Sequence, residues 1–468
     1  MAKRHIGHNL GIEELRPLII GGGGRERAIA IQLLAPANNK IPMEGVRMVP
    51  GNGKATELIE NVAIGYDLPG GVDPLLDYIH QTGINLVITG SENDLVEPNS
   101  LADRLRNEGI YTVGASSAAA RFEGSKIFAR ENMQAWGVQI PWFEIFRAND
   151  YQANAAAALK FAREKFKKDK VNGLVIKADG LCGGKGVYVC KDYDEFARVL
   201  IEEMPKHDSS SINFLVEEML VGKEVSVTVA VANKDQYIIM PYTADHKPVG
   251  EGDTGPNGGG MGAITVTLPM AERNYIKNKI VDPQIKGAAK MGSPLNGSIL
   301  YVGLMLTDDG RICVLEDNLR FGDPEAQVAL PRISSDFGAL MLGVAAKNLT
   351  NVTYSTNSTH WGVVDVCADN YPGDTSHVKG HVLQGVDEAA KQAEMLVSGC
   401  KFEGGIWKIN GTRFMNYRGS GKSAEEAVKC PTQAARTLVE ANPGKCFARY
   451  DIGKDRDVSN FVLNQGFK

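Results

Sequence analysis

One stretch, VLEDNLRFGDPEAQ (314–327), carries the strongest chemical signal in the chain through Glu316, Asn318 and Arg320. Side chains alternate along a strand, so these three share one face, within about 14 Å at a rise of roughly 3.4 Å per residue. A carboxylate and an amide oxygen are hard ligands suited to Mg²⁺ or Mn²⁺ carrying nucleotide phosphates. The guanidinium suits a phosphate or carboxylate beside them. Glu316 and Asn318 are therefore the expected metal pair. A solvated polar strand face is the plain alternative. Asp317 points with Leu315 and Leu319 toward the apparent core, either as an extra polar contact or because the strand bends there.

A second signal is the glycine-rich GLCGGKGV (180–187). It is not a P-loop: too few residues separate Gly180 from Gly184-Lys185, and Gly186 replaces the metal-binding Ser or Thr. Lys177 ends the preceding strand beside these glycines, where it can reach phosphates as a point charge. Glu217, Glu218, Met219 and Leu220 end another apolar run, placing backbone for an adenine edge, and Glu224 follows for ribose hydroxyls. The stretch 243–263 reads as one long glycine-rich loop holding Asp245, His246, Lys247, Asp253 and Asn257. Long loops inside compact domains are usually functional, and the amides of Gly258–Gly260 can form an anion nest. No second His or Cys at ligand spacing makes His246 part of a metal site.

These residues need elements to hold them. PLIIGGGGRERAIAIQLL (17–34) reads as strand, glycine turn and helix, the start of a doubly wound α/β unit. Its glycines fail the GxGxxG count, but a helix N-terminus beside Arg25 suits a phosphate. NLVITGSENDL (85–95) reads as another buried strand ending in a polar loop, and IYTVGAS (110–116) as a third. The stretch 153–170 is an exposed helix, 297–321 an antiparallel pair joined at Asp308-Asp309-Gly310, and the stretch from 352 to the end a separate mixed domain. The expected fold is α/β and α+β, multidomain: an N-terminal doubly wound domain over 1–120, a central domain over 121–350 with a small lid subdomain at about 142–215, and a C-terminal mixed domain over 351–468. With 468 residues, 43% hydrophobic and 23% charged, the composition is that of a soluble globular protein. A net charge of −5 gives no general pull toward nucleic acid or anionic membrane. Seven scattered cysteines indicate reduced thiols. No secretory leader or apolar span is visible, so the expected location is cytoplasmic.

Taken together the motifs resemble the phosphoribosylamine–glycine ligase (glycinamide ribonucleotide synthetase) family of ATP-grasp enzymes. The matching pieces run in order: GGGGRERA (21–28), PGNG (50–53), EGSK (123–126), IKADGLCGGKGV (176–187), VEEMLVGKEVSV (216–227), DHK…GDTGPNGGGMGA (245–263), LYVGLM (300–305), EDNLRFGDPEAQ (316–327) and RYDIG (449–453). The resemblance implies purine biosynthesis: glycine's carboxylate attacks the γ-phosphate of ATP, and 5-phosphoribosylamine captures the glycyl phosphate. It also implies ATP contacts from Lys126, Lys177, Gly183, Gly184, Lys185, Gly186, Glu217–Leu220 and Glu224, and a metal on Glu316 and Asn318. The ribose phosphate falls to Gly22, Gly23, Gly24, Arg25, Glu26, Asn52 and Gly53. Asp245, Lys247, Asn257, Gly259, Gly260, Met261 and Arg320 are expected to surround glycine and the reacting amine. The expected partners are small molecules, and the expected assembly a monomer or homodimer. This chain departs from the family pattern at Arg27, where a histidine is usual, and at Ser91, Pro248 and Gly258. A diverged ligase with another amine or amino acid is the alternative. A silent nucleotide-binding protein is a third reading, opposed by the intact Glu316/Asn318 pair.

If the glycine-rich loop covers ATP, Gly184→Val should raise the KM for ATP and lower turnover while circular dichroism stays that of the parent. A variant with the parent's ATP kinetics would reduce the loop to an ordinary hairpin.

Overall fold

The computed structural model describes residues 6–35, 43, 45–64, 72–91, 94–95, 100–148, 150–169, 171–180, 182 and 186–464. Gly183, Gly184 and Lys185 lie outside these. Among the described residues no helix is long and apolar enough to cross a membrane.

Strands β1 (Pro17–Gly21), β2 (Val46–Pro50), β3 (Ile59–Asn61), β4 (Leu86–Thr89) and β5 (Tyr111–Val113) form a parallel sheet in the order β3-β2-β1-β4-β5. Its apolar runs are buried on both faces, Ile19 in one core and Leu18 and Ile20 in another, as parallel sheets require. A second, antiparallel sheet joins β6 (Phe143–Phe146), β7 (Leu174–Ala178), β8 (Val187–Cys190) and β9 (Phe214–Glu218). Leu174, Ile176, Phe214 and Val216 pack beneath the helices Tyr151–Glu164 and Tyr193–Arg198. By alternation Val175, Lys177 and Glu217 face the other way.

The largest sheet holds β10 (Gly222–Asn233), β11 (Gln236–Ile239) and β12 (Thr243–Asp245). After a hairpin of β13 (Pro248–Gly250) and β14 (Thr254–Asn257), it continues with β15 (Gly262–Thr265), β16 (Ser298–Thr307), β17 (Ile312–Asn318), β18 (His360–Ala368) and β19 (Glu394–Val397). Past a second hairpin, β20 (Cys400–Glu403) with β21 (Ile406–Ile409), come β22 (Arg413–Gly421) and β23 (Cys446–Ala448). The path is β17-β16-β10-β12-β15-β18-β22-β19, with β11 on β10 and β23 on β18. Strands after residue 351 thus continue the central sheet through the β15–β18 pairing. The stretch 243–263 is not one loop: a strand, a hairpin and a second strand fill most of it. Those hairpin strands are short, glycine-rich and half-exposed or exposed, so they carry no alternation to read.

Helix Phe337–Ala345 (FGALMLGVA) is apolar on every side and all nine residues are buried, as such a helix must be. It joins the first sheet to the central one, sharing a core with Ile88, Val113, Ala230 and Ile299.

One irregularity sets the site. In β17, Ile312 pairs with Leu306 and Val314 with Leu304, whereas Glu316 pairs with Gly303 and Asn318 with Tyr301. Leu315 is the extra residue, a β-bulge. Ile312 and Val314 lie in the core with Leu304 and Leu306. Past the bulge the parity flips, and Glu316 and Asn318 stand with Gly303 and Tyr301 on the opposite face. Asp317, opposite Val302, takes the core side, so the strand does bend where the sequence made Asp317 awkward.

Leu340→Ala should cost about 2–5 kcal/mol by opening a cavity in the joint between the sheets, read as a lowered denaturant midpoint. An unshifted midpoint would show that this helix does not hold the sheets together.

Candidate active site

A cavity of about 360 Å³ lies between the second sheet and the central sheet. Val175, Lys177, Val187, Val189 and Glu217 line it from one side; Glu224, Tyr301, Met305, Glu316 and Asn318 line it from the other. Lys126, Gly180, Gly186, Glu218, Met219, Leu220, Asp245, Lys247, Asn257, Gly259 and Arg320 complete the wall. Nearly all the residues expected at ATP, metal and the reacting carboxylate thus converge, from segments up to two hundred residues apart.

The N-terminus of helix Lys126–Ala135 is fixed by Asp179, whose Oδ1 accepts from Ser125 Oγ (2.8 Å) and the Ile127 amide (3.1 Å). Lys126 Nζ reaches the Gly180 carbonyl at 3.1 Å. Gly186 must be glycine for space: a Cβ there would lie 2.7 Å from Cys182 Sγ. Burial pushes the Cys182 thiol up, so it fills space as an unreactive thiol.

Cations organise the interior. Glu217 pairs with Arg130 and with Lys177 Nζ (2.6 Å). Both cations also donate to the Leu315 carbonyl, at 2.6 Å from Arg130 and 2.8 Å from Lys177. The bulge leaves that carbonyl without a ladder partner, and the two cations take it. Burial lowers the Lys177 pKa to about 8, against the pull of Glu217. Burial would raise Glu217, but Arg130 and Lys177 hold it below the usual carboxylate range. Glu218 is engaged by Arg311 through two bonds of 3.1 and 3.0 Å. The carboxylates of Glu217 and Glu218 are therefore taken, and the backbone of this segment is left to meet a base.

Lys247 sits between Glu316 (3.1 Å) and Glu224 (3.6 Å). Its charge holds the Glu316 pKa at about 2 despite burial. Burial, with Glu325, Glu224 and Glu316 nearby, pushes Asp245 up to about 8 against the pull of Lys247. Tyr301 donates to Glu325 Oε1 at 2.7 Å. Arg320 pairs with Glu123 (3.3 Å) and donates weakly to Asn318 Oδ1 (3.4 Å). Glu123 also accepts from the Leu319 amide at 2.6 Å, locking the end of β17. Among the described residues no three His, Cys, Asp or Glu side chains converge on a metal site, so the donors on offer are the mixed pair Glu316 and Asn318. An ionised carboxylate and an amide oxygen on one cavity face suit a hard divalent cation. His246 is structural, its rings' nitrogens held by Asp253 (3.2 Å) and by the Gly453 amide (2.9 Å).

The residues expected at the ribose phosphate gather elsewhere, at a junction between the first sheet and the strand end Ser398–Cys400. The Gly23 amide donates to Glu26 Oε2 at 2.5 Å, and Glu26 also pairs with Arg25 (2.5 Å). The Gly24 amide donates to Ser398 Oγ at 3.2 Å. Two amides expected to cradle phosphate are thus already bonded within the protein. A Cβ on Gly22 would lie 2.8 Å from the Gly51 carbonyl oxygen. Asn52 Nδ2 donates to the Ser398 carbonyl, and the Gly53 amide to the Cys400 carbonyl at 2.9 Å. The junction adjoins the cavity through Arg25, which donates to the Phe321 carbonyl at 3.1 Å.

Met261 does not reach the cavity: its side chain is fully buried against Cys367 and its amide donates to the His246 carbonyl. Gly259 does, with its carbonyl held by Arg413 at 2.9 Å. Gly260 stands beside it at φ +114°, and a Cβ there would meet Pro324 at 2.5 Å. The sequence reading gave no role to Arg130, Tyr301, Glu325, Asp323 or Arg413. Glu325 and Asp323 lie inside the very motif that carries Glu316 and could have been drawn from it. Arg413 pairs with Asp323 (2.8 Å) and Asp365 (3.4 Å) across the sheet, a contact with no local signal.

The family model described as phosphoribosylglycinamide synthetase, N domain, matches residues 15–123, and that of the ATP-grasp (A) domain matches residues 124–326. A phosphoribosylamine–glycine ligase of Caldanaerobacter subterraneus is 34% identical over 88% of this chain and 94% of its own length. One from Listeria monocytogenes is 35% identical over 93% of this chain and 98% of its own. The crystal structure of phosphoribosylamine–glycine ligase from Thermotoga maritima superposes with a TM-score of 0.72 at 26% identity, covering 94% of this chain and all of that one. The biotin carboxylase domain of a Hydrogenobacter thermophilus 2-oxoglutarate carboxylase, 15% identical with a TM-score of 0.65 over 97% of both chains, shares the fold.

Among the described residues nothing bonds the buried Asp317 Oδ1, and burial pushes the Asp317 pKa from 3.8 to about 8. Between those values the native state keeps a proton that the unfolded chain releases, so stability falls as pH rises. Asp317→Asn removes this term. Its stability advantage over the parent should grow from pH 5 to pH 8 by on the order of 1 kcal/mol per pH unit, measured by denaturation at each pH. A constant difference would mean that Asp317 is ionised in the folded state.

Proposed function

Because the chain belongs to the phosphoribosylglycinamide synthetase family, we infer that it is an ATP-dependent ligase joining glycine to 5-phosphoribosylamine, with ADP and phosphate released, in purine biosynthesis. The observation that carries this reading is the convergence of Lys126, Lys177, Asp245, Lys247, Glu316 and Asn318 on one cavity between two sheets. Phosphoryl transfer needs positioning and charge neutralisation more than a covalent nucleophile, and that is what these residues offer.

In this reading the backbone of 217–220 takes the adenine and Glu224 the ribose. Lys126 and Lys177 meet the phosphates; Lys177, even with its lowered pKa, carries its charge at neutral pH. Glu316 and Asn318 would hold a divalent cation, Mg²⁺ or Mn²⁺, which when bound neutralises charge on the ATP phosphates. Arg320 and Lys247 draw glycine's carboxylate toward the γ-phosphorus, and the buried carboxylates Asp245 and Glu325 receive its ammonium group. One carboxylate oxygen bonds to the γ-phosphorus as the bond to ADP breaks, giving glycyl phosphate. The amine of the acceptor then attacks the acyl carbon, phosphate leaves with that oxygen, and the amine gives up a proton. The acyl phosphate hydrolyses readily, so enclosure between the sheets serves to exclude water. The acceptor enters beside Gly259 and Asn257, with its ribose phosphate toward the glycine junction.

The decisive assay is ADP release with each component omitted in turn. Full turnover should need glycine, phosphoribosylamine and a divalent cation together. Release with a different amine but not phosphoribosylamine would overturn the assignment. Glu316→Gln should lower kcat by about a hundredfold or more, of the order seen when a group acting on transition-state charge is removed. An unchanged kcat would remove Glu316 from the metal site.

A further inference from the structure

A second cavity, of about 300 Å³, shares no lining residue with the reaction cavity. Tyr242 and Val266 line it just past the paired ends of β12 and β15, where the Val266 amide donates to the Tyr242 carbonyl at 3.0 Å. At the other end of that ladder Asp245 pairs with Ala263 and lines the reaction cavity. The two cavities therefore sit at opposite ends of one strand pair.

The charge around the second cavity is of one sign. Arg273 and Lys277 line it, four residues apart on the helical run 270–281 and so on one face. Arg332 joins them from the end of the turn Leu330–Arg332, and no carboxylate is in the wall among the described residues. The Arg273 guanidinium has only a 3.7 Å contact with Met270 Sδ among the described residues. Arg332 donates from Nε and Nη2 to the Asn357 carbonyl, at 3.0 and 2.8 Å, and among the described residues nothing engages its Nη1. Burial lowers the Arg332 pKa, opposed only by Tyr354 and by no carboxylate. Lys277 has Asp282 at 3.1 Å, but that carboxylate also serves Lys286 at 3.6 Å and the Tyr237 hydroxyl. Cations gathered without a matching acid repel one another and draw an anion into the cleft.

The rest of the wall narrows the kind of anion. Met240, Val266 and Leu268 are apolar, and Tyr242 and Tyr354 add aromatic rings. Among the described residues nothing bonds the buried Tyr354 hydroxyl, and burial raises its pKa, so it stays a neutral donor. Guanidinium forks without acids of their own suit the doubly charged phosphate group. Apolar and aromatic walls suit a ring-bearing body, and the volume is that of a small-molecule site.

We propose that this cavity is a second ligand site, which takes a small aromatic phosphate with its phosphate among Arg273, Lys277 and Arg332 and its ring against Tyr242 and Tyr354. This site is independent of the ligase reading.

Phenyl phosphate is the probe, titrated by calorimetry into the full chain. Saturable binding in the millimolar range or tighter is expected, with phenol and inorganic phosphate each at least tenfold weaker. Arg273→Glu and Arg332→Met should each weaken phenyl phosphate at least tenfold, whereas Lys126→Met, in the reaction cavity, should leave its affinity within twofold. Arg273 is exposed, so Arg273→Glu should keep the parent's Tm and decides the matter even where Arg332→Met melts lower. An absence of saturable binding overturns the proposal, as does an affinity unaltered in Arg273→Glu. Binding weakened by Lys126→Met but not by Arg273→Glu belongs to the reaction cavity and overturns it too. Inorganic phosphate bound as tightly as phenyl phosphate overturns the aromatic ligand.

Discussion

Between Val314 and Glu316 the strand β17 takes up Leu315 without a partner on β16, and the rest of the site depends on that extra residue. It turns Glu316 and Asn318 out of the core that holds Ile312 and Val314. It also frees the Leu315 carbonyl, which Arg130 and Lys177 both take. The central sheet is thereby tied to the second sheet, and Lys177 is aimed across the cavity. A regular ladder would have buried Glu316 and Asn318 and left both cations short of an acceptor.

Charge balance explains the remaining layout. Most cations lining the cavity have a named anion: Arg130 and Lys177 share Glu217, Lys247 serves Glu224 and Glu316, and Arg320 takes Glu123, while Lys126 reaches the Gly180 carbonyl. Such pairs are costly to bury and far more costly to break. They fix the site's geometry more than they stabilise the fold. The carboxylates Asp245 and Glu325 are held toward their neutral forms by burial, and a substrate ammonium group would reverse that. Arg27 is the exception within the N-terminal helix: among the described residues nothing bonds its buried Nη1.

Much of this was legible in the sequence. Strand, glycine turn and helix at 17–34, the hairpin turn at Asp308-Gly310, and the shared face of Glu316 and Asn318 all stand where local pattern put them. The reason for the last is not local, however. Ile312, Val314, Glu316 and Asn318 have the same parity, and only pairing with β16 reveals the bulge that separates them. Long-range contacts were equally invisible. Ser398 meets Gly24 across 374 residues, and Glu26 folds back over the glycines that seemed open to phosphate. The hairpin inside 243–263 was hidden because glycine-rich, exposed strands carry no hydrophobic alternation. The continuation of the central sheet by β18 rests on the β15 pairing, which no composition or turn signal announces.

The central claim is that this cavity activates glycine's carboxylate by phosphoryl transfer and then releases the phosphate to an amine. Turnover with glycine labelled with ¹⁸O in its carboxylate, followed by mass analysis of the inorganic phosphate, tests it most directly. The account predicts one glycine-derived oxygen in each phosphate released, because the oxygen that attacks phosphorus leaves with it. Phosphate free of label under conditions of amide formation would contradict the account.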